Sequence, residues 1–511
     1  MDPIALSVFS SRMAAVCEEM GAVLRRTAFS PNIRDRLDFS CAVFDADGGL
    51  AAQAAHIPVH LGSMAYAMAG VIRRFDWQPG DMVVFNDPFL GGTHLPDVTL
   101  VSPLFVDGER VAFLANRAHH ADIGAVTPGS MPLSTTLEEE GVLISPVRLY
   151  RAGRRDEAVL QRIVSRTRNP RQAGGDFAAQ ASSVSSGVHR LQELVGRMGM
   201  SEFRAALAAL NDYAERLVRA ALVDLPDGRW TFTDYLDDDG QGQQDLPIQV
   251  ALTLDHHDAH VDFAGSADQV RGNLNCPLSV AAAAVFYAFR CLMPEQTPAC
   301  AGAFRPITLS APEGSLLNAR HPAAVAAGNV ETSQRVVDAV LGALAPALPD
   351  RIPAASHGGM NNLAMGALAE DSPWDYYETL GGGMGGGPHH RGRSGVQVHM
   401  TNTLNTPLEA LEMAYPLRLR RYALRRGSGG AGRHPGGEGV IREYEFLTPA
   451  SVTLITERRR HAPWGLQGGA PGAVGENRLN GELLPGKVRL EVAAGDRLTV
   501  MTPGGGGWGG S

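Results

Sequence analysis

Apolar residues recur at helical spacing near the start of the chain, at Ile4, Val8, Met13, Val16, Met20, Val23 and Leu24, until Ser30-Pro31 cuts the pattern. An amphipathic helix is predicted over residues 2–27. Charged residues then lead into an alternating strand that turns at 45–49, with a second strand running toward His56. Residues 63–75 read as a helix, and 80–85 as a buried strand that ends in the turn Asn86-Asp87-Pro88. Helical periodicity returns over 181–222 with a break near Gly199-Met200-Ser201, which predicts a helical hairpin. Strands are expected at 230–236, 248–254 and 260–263, an alanine-rich helix at 279–292, and another helix from Gly328 to about 348. From Val440 onward the pattern is short strands separated by glycine and proline.

A chain of 511 residues exceeds the roughly 250–300 residues at which single cores stop growing, so several domains are expected. The predicted fold class is α+β, a multidomain mixture of helix and sheet. Residues 1–225 are read as an N-terminal domain, 226–380 as a central mixed domain, and 381–511 as a glycine-rich, strand-dominated C-terminal part.

The apolar runs 98–106 and 111–115 flank Asp107-Gly108-Glu109, a strong hairpin signal. Antiparallel pairing joins residues whose numbers sum to a constant set by the turn. A loop with an odd number of residues places Asp97 and His119 on the same face. A two-residue Asp107-Gly108 turn pairs Asp97 by parity with His120 or Ala118 instead, and spacing leaves this register open. His94 precedes Asp97 by three residues with Pro96 between them, so imidazole and carboxylate can converge from one bend. Two histidines and a carboxylate make an open divalent site suited to zinc, manganese or iron. The plainer reading is of solvated strand ends and ordinary turn formers.

Other features narrow the picture less. His56 and His60 flank Pro58, which favours a structural or substrate-contacting role over a helical ligand pair. Glu138-Glu139-Glu140 offers proton carriers or simply a solvated face. Residues 165–180, with Arg166, Arg168 and Arg171, read as an anion-contacting segment or a plain helix start. The acidic loop 237–245 lacks the EF-hand spacing, and neither glycine loop, 356–362 or 381–387, carries a phosphate-loop pattern. Those loops offer either close approach to a substrate or tight packing of turns.

Hydrophobic content of 44% with 19% charged residues fits a globular protein and excludes a disordered one. A formal net charge of -9 argues against nucleic acid as a partner. Cys17, Cys41, Cys276, Cys291 and Cys300 are odd in number and widely spread, so a reducing cytoplasm is expected rather than a disulfide framework. No stretch approaches the roughly 20 apolar residues of a membrane span, and no membrane partner is expected.

Taken together, these stretches resemble the hydantoinase B/oxoprolinase family, which includes subunits of acetone and acetophenone carboxylases. The resemblance rests on Arg36-Leu37-Asp38-Phe39-Ser40, on His56-Ile57-Pro58-Val59-His60 through Met64, on Asn86-Asp87-Pro88 through Asp97, and on His119-His120-Ala121-Asp122-Ile123-Gly124. Later matches are 328–335, Met400-Thr401-Asn402-Thr403, 409–412, 415–418 and 502–507. Ala125, Cys300 and His434-Pro435-Gly436-Gly437 depart from the family pattern. They bear on substrate and loop shape.

The resemblance implies the hydrolytic subunit of a two-component enzyme that opens small cyclic amides such as hydantoins, 5-oxoproline or lactams. ATP would be bound by a kinase-like, hydantoinase A-type partner in a hetero-oligomer. It implies metal ligands at His94, Asp97 and His119, which favours the odd-loop register. The metal would lower the pKa of water to supply hydroxide, while Asp122, His120 or Asp87 orients a ligand or moves protons. The alternatives are a subunit of an ATP-dependent ketone carboxylase and a non-catalytic scaffold.

Overall fold

The computed structural model describes residues 2–367 and 373–510. Its N-terminal part is one antiparallel sheet of seven strands. These are β1 (Phe39–Asp45), β2 (Leu50–Ala55), β3 (Met82–Phe85), β4 (Asp97–Val106), β5 (Glu109–His119), β6 (Val147–Arg151) and β7 (Arg154–Arg155), in the order β2-β1-β5-β4-β3-β6-β7. The helices here are α1 (Pro3–Thr27), α2 (Pro31–Arg34), α3 (His60–Val71), α4 (Glu157–Val164), α5 (Pro170–Met198) and α6 (Met200–Val223).

Both faces of this sheet are covered. Val83, Phe85, Val101, Phe113 and Ala115 pack on Met64, Ala67, Met68 and Val71 of α3. On the other face of the same strands, Val84, Val98, Leu100, Leu114 and Ala118 share a core with residues of α1 and α5. Two buried faces make the strands continuous apolar runs instead of alternating ones. The opening helix is as predicted, with Asp2 accepting the Ile4 and Ala5 N–H groups at 2.9 and 3.0 Å. The helical hairpin breaks at Gly199, between α5 and α6. Helix α3 starts at His60, three residues before the expected 63. Residues 165–180 contain a helix start, where Asn169 accepts the Gln172 N–H at 3.1 Å.

A second sheet holds β8 (Gly228–Asp238), β9 (Gln244–Asp255) and β10 (Asp258–Asp262), close to the expected strands, and β11 (Ile307–Ser310), which had no expected counterpart. Helix α7 (Leu278–Arg290) packs between α3 and α8 (Ser333–Leu344), and a wide π turn at Gly328–Thr332 leads into α8. The remaining strands are β12 (Asn362–Ala367), β13 (Trp374–Thr379), β14 (Leu417–Arg425), β15 (Gly439–Phe446), β16 (Ala450–Ile455), β17 (Glu476–Leu479), β18 (Glu482–Leu484), β19 (Lys487–Val492) and β20 (Arg497–Met501), with α9 (Leu408–Ala414) between β13 and β14. They form two sheets, β13-β12-β16-β19 and β14-β15-β20-β17-β18. Leu363, Val452 and Leu454 of one meet Tyr444, Leu498 and Val500 of the other in a single core, a sandwich. Strands β12, β13 and β14 had no counterpart among the strands expected from the sequence.

The glycine loops pack on one another. A Cβ on Gly383 would stand 2.0 Å from the Gly437 carbonyl oxygen, and one on Gly385 would stand 1.8 Å from that of Ala354. Tight packing of turns is therefore what these glycines serve. The fold as a whole is a multi-sheet α+β architecture. Among the described residues no helix is long and apolar enough to cross a membrane.

Candidate metal centre

The candidate residues meet at the rim of the N-terminal sheet, and the register that joins them has a local cause. Asp107 and Gly108 both take positive φ, 50° and 83°, the signature of a two-residue hairpin turn of type I′. Val106 pairs with Glu109 and Phe105 with Arg110, but Leu104 pairs with Ala112. Val111 is therefore the extra residue of a β-bulge. The turn alone would have carried Asp97 to Ala118; the bulge shifts the register by one and sets Asp97 opposite His119. The expectation of an odd loop is corrected, and the pairing it was meant to explain is present.

The approach to Asp97 is held from several sides. Asn86, at the end of β3, donates to the carbonyls of Leu95 and Val142 at 2.7 and 2.9 Å and accepts from the Ile144 N–H at 2.7 Å. Gly91 has φ 93° with the Ala67 backbone 2.3 Å from where a Cβ would lie, so α3 presses directly on this loop. The buried Arg117 guanidinium ties Thr99, Ser63 and the Gly91 carbonyl together at 2.9, 2.7 and 3.2 Å.

Three donor atoms then converge. His94 Nε2 and His119 Nδ1 each lie 3.2 Å from Asp97 Oδ1, and 3.3 Å from one another. Three ligands roughly 2.0–2.1 Å from one ion at tetrahedral angles stand roughly 3.3 Å apart, so the triangle has the size zinc-like coordination needs. His94 Nδ1 lies 3.1 Å from the Ala326 carbonyl oxygen. A carbonyl only accepts, so Nδ1 carries the hydrogen and neutral His94 turns the Nε2 lone pair toward the carboxylate. Buried lone pairs facing one another at this distance require a cation between them, either a proton or a metal. Burial pushes the Asp97 carboxyl up, yet His94, with the hydrogen bonds of His119 and His60, outweighs it and holds that group well below the usual range. Burial lowers the His94 pKa, and the Asp97 charge more than reverses this to raise it.

The surroundings complete the site. Thr93 Oγ1 and Asn329 Nδ2 donate to Asp97 Oδ2 at 2.5 and 3.2 Å, while Tyr377 stacks on the His119 ring with centroids 5.1 Å apart. His60 Nε2 stands 3.4 Å from Asp97 Oδ2 and its Nδ1 meets Ser40 Oγ at 3.0 Å. A cavity of about 20 Å³ touches these groups, walled on the far side by Thr379, Thr401 and Thr403. That volume suits one water-sized species.

The other candidates lie elsewhere. His120 follows His119 on the strand and therefore points to the opposite face, where it meets Gln180 Oε1 at 3.0 Å and packs on Phe177. Asp122 is held by Arg168 at 3.2 Å and by the Gly124 N–H at 2.8 Å. Asp87 caps the turn Pro88–Leu90, accepting the Phe89 N–H at 3.0 Å. The structure does not bring these three to the donor atoms of the triad: alternation along the strand gives His120 other partners, and Asp122 and Asp87 are engaged locally. Glu140 carries more than its place in a run of three glutamates suggested. The short 3₁₀ turn Leu137–Glu140 leaves Glu138 outside and buries Glu140, whose Oε1 accepts the Val325 and Ala326 N–H groups at 2.8 and 2.9 Å. Burial pushes its pKa up to about 7.

Fold and site together define a class, a multi-sheet α+β protein that buries a His–Asp–His constellation at the rim of one sheet. The chain belongs to the hydantoinase B/oxoprolinase family, whose family model matches residues 2–511. It is 39% identical over 542 residues to 5-oxoprolinase 1 of Arabidopsis thaliana, covering 99% of this chain and 42% of that protein. It is 32% identical over 536 residues to the putative B-type component of a D-/L-hydantoinase from a Pseudomonas species, covering 100% of this chain and 90% of that one. The crystal structure of an ATP-dependent caprolactamase from Pseudomonas jessenii superposes with a TM-score of 0.92 at 29% identity, over 100% of this chain and 91% of the other. The chain thus spans about two fifths of the plant oxoprolinase and nearly all of the Pseudomonas hydantoinase component.

Proposed function

We propose that this chain is the hydrolytic subunit of a two-component, ATP-dependent cyclic amidase. A divalent metal, zinc, manganese or iron, is held by His94 Nε2, Asp97 Oδ1 and His119 Nδ1. ATP is bound by a kinase-like, hydantoinase A-type partner in a hetero-oligomer. The observation that carries this reading is the triangle of buried donor atoms, each side 3.2–3.3 Å. A metal ion bound there supplies Lewis acidity and lowers the pKa of water toward roughly 7. The likeness to proteins named 5-oxoprolinase, D-/L-hydantoinase and ATP-dependent caprolactamase supports the reaction class.

The chain's own residues have definite tasks in this scheme. The Ala326 carbonyl fixes the His94 tautomer, Thr93 and Asn329 occupy Asp97 Oδ2 and leave Oδ1 free, and Tyr377 sets the His119 ring plane. His60 is the group placed to hold or move a proton at the cavity wall, a role the sequence pointed to in His120, Asp122 or Asp87. The small cavity keeps bulk water away from the triad. Amide carbonyls are poor electrophiles, and phosphorylation of the amide oxygen by the partner provides a carbon that water can attack.

The test combines the purified chain, a hydantoinase A-type subunit and ATP with hydantoin, 5-oxoproline and caprolactam. Ring opening that needs both chains and ATP is expected. No turnover of any cyclic amide by an ATP-hydrolysing pair would contradict the proposal.

A further inference from the structure

A cavity far larger than the one at the triad lies among the described residues. A cleft of about 1020 Å³ opens on the C-terminal sandwich, and its wall carries Arg391, Arg393 and Arg442 with no carboxylate among the described lining residues. This is notable in a chain whose formal net charge is -9. Arg391 and Arg393 are exposed. Unlike Arg442, which lies 3.3 Å from Glu378, they have no acidic partner among the described residues. Arg442 is 1% exposed, its Nε and Nη2 are buried without a hydrogen-bond acceptor, and its guanidinium lies 4.6 Å over the Tyr422 ring.

The cleft abuts the triad cavity. Thr403 lines both. Gln397, on the cleft side, donates to Thr379 Oγ1 at 3.2 Å, and the Thr379 and Thr403 hydroxyls are 2.7 Å apart. A wall of small hydroxylated side chains separates the two spaces.

We infer that this cleft is an oxyanion-binding vestibule, in which Arg391, Arg393 and Arg442 hold a phosphoryl or carboxylate group of the substrate beside the triad cavity. Guanidinium groups pair with either oxyanion through parallel N–H donors, and do so most strongly where no carboxylate competes, as at Arg391 and Arg393; Arg442 shares its charge with Glu378. Its place in catalysis rests on the function proposed above; anion binding itself does not. A neutral cyclic amide gives the arginines nothing to hold. An amide phosphorylated on oxygen, or one bearing a ring carboxylate, does.

The test is calorimetric titration of the chelator-treated, full-length chain with inorganic phosphate and, separately, with succinate. Chelation removes any contribution from a metal. Wild type, the double variant Arg391→Ala/Arg393→Ala and His94→Ala are compared, with thermal melts to verify folding of the exposed-site variants. Saturable binding that weakens at least tenfold in the arginine variant and persists in His94→Ala is expected. Tighter phosphate points to a phosphoryl group, and tighter succinate to a carboxylate. Wild type that binds neither anion, or an arginine variant that binds as well as wild type, would overturn the inference. Metal content of the same proteins, measured before chelation and after offering zinc, manganese and iron, separates the two ideas. A metal-free wild type with arginine-dependent anion binding would sink the metal reading and leave the vestibule standing.

Discussion

His119 and His120 are consecutive, both buried, and each has one imidazole nitrogen without a partner, Nε2 of the first and Nδ1 of the second. Their direct partners differ. One face of β5 gives His119 a carboxylate, a second histidine and a small cavity. The other gives His120 the amide of Gln180 and the ring of Phe177, with Asp122 and Asp176 lining the small pocket beside it. On the first face the burial of charge is answered by opposite charge. On the second, burial outweighs the pull of Asp176 and lowers the His120 pKa, which favours the neutral ring. The lesson is that a histidine's chemistry belongs to the face it is given, and one residue along a strand changes the face.

The sharpest way to break this comparison is Asp97→Asn, which keeps the shape and removes the charge. It is expected to cut ring opening by roughly a thousandfold, about 4 kcal/mol of barrier, in the reconstituted ATP-dependent assay. Activity within tenfold of wild type would show that the carboxylate is structural only. On the opposite face, His120→Ala is expected to cost about 1–3 kcal/mol of stability through lost packing and an orphaned Gln180, read by denaturant unfolding. Its metal content should stay at the wild-type level.

A smaller effect tests the support behind His94. The Glu140 carboxyl sits near 7 in the fold against an ordinary 4.5, so the folded state keeps a proton that the unfolded chain has released. Its contribution is therefore present at low pH and declines as pH rises from about 4.5 through 7. Glu140→Gln should flatten that decline, so its melting temperature should fall less than that of wild type between about pH 5 and 8. Parallel curves would remove Glu140 from the account.

The parts legible in the sequence were those set by local pattern. The stripe Met13, Val16, Met20, Leu24 gave α1, although Ile4 and Val8, read as part of it, are exposed, and the Gly199 break gave α5 and α6. The triad was legible as a set of residue types, and the family resemblance chose His119 over His120. The bulge at Val111 was not, because its cause is the mismatch between a type I′ turn and the pairing the rim requires, which only the folded register shows. Tyr377, Asn329 and Thr403 reach the cavity from more than 200 residues away in sequence. Glu140 looked like one of three equivalent glutamates until the 3₁₀ turn distinguished them.

The most direct measurement is elemental analysis of the purified chain after offering zinc, manganese and iron, with His94→Ala, His119→Ala and His120→Ala alongside. About one metal per chain in wild type and His120→Ala, and background in the other two, is the expected result. Wild type that remains metal-free, or equal loss in His119→Ala and His120→Ala, would contradict the account.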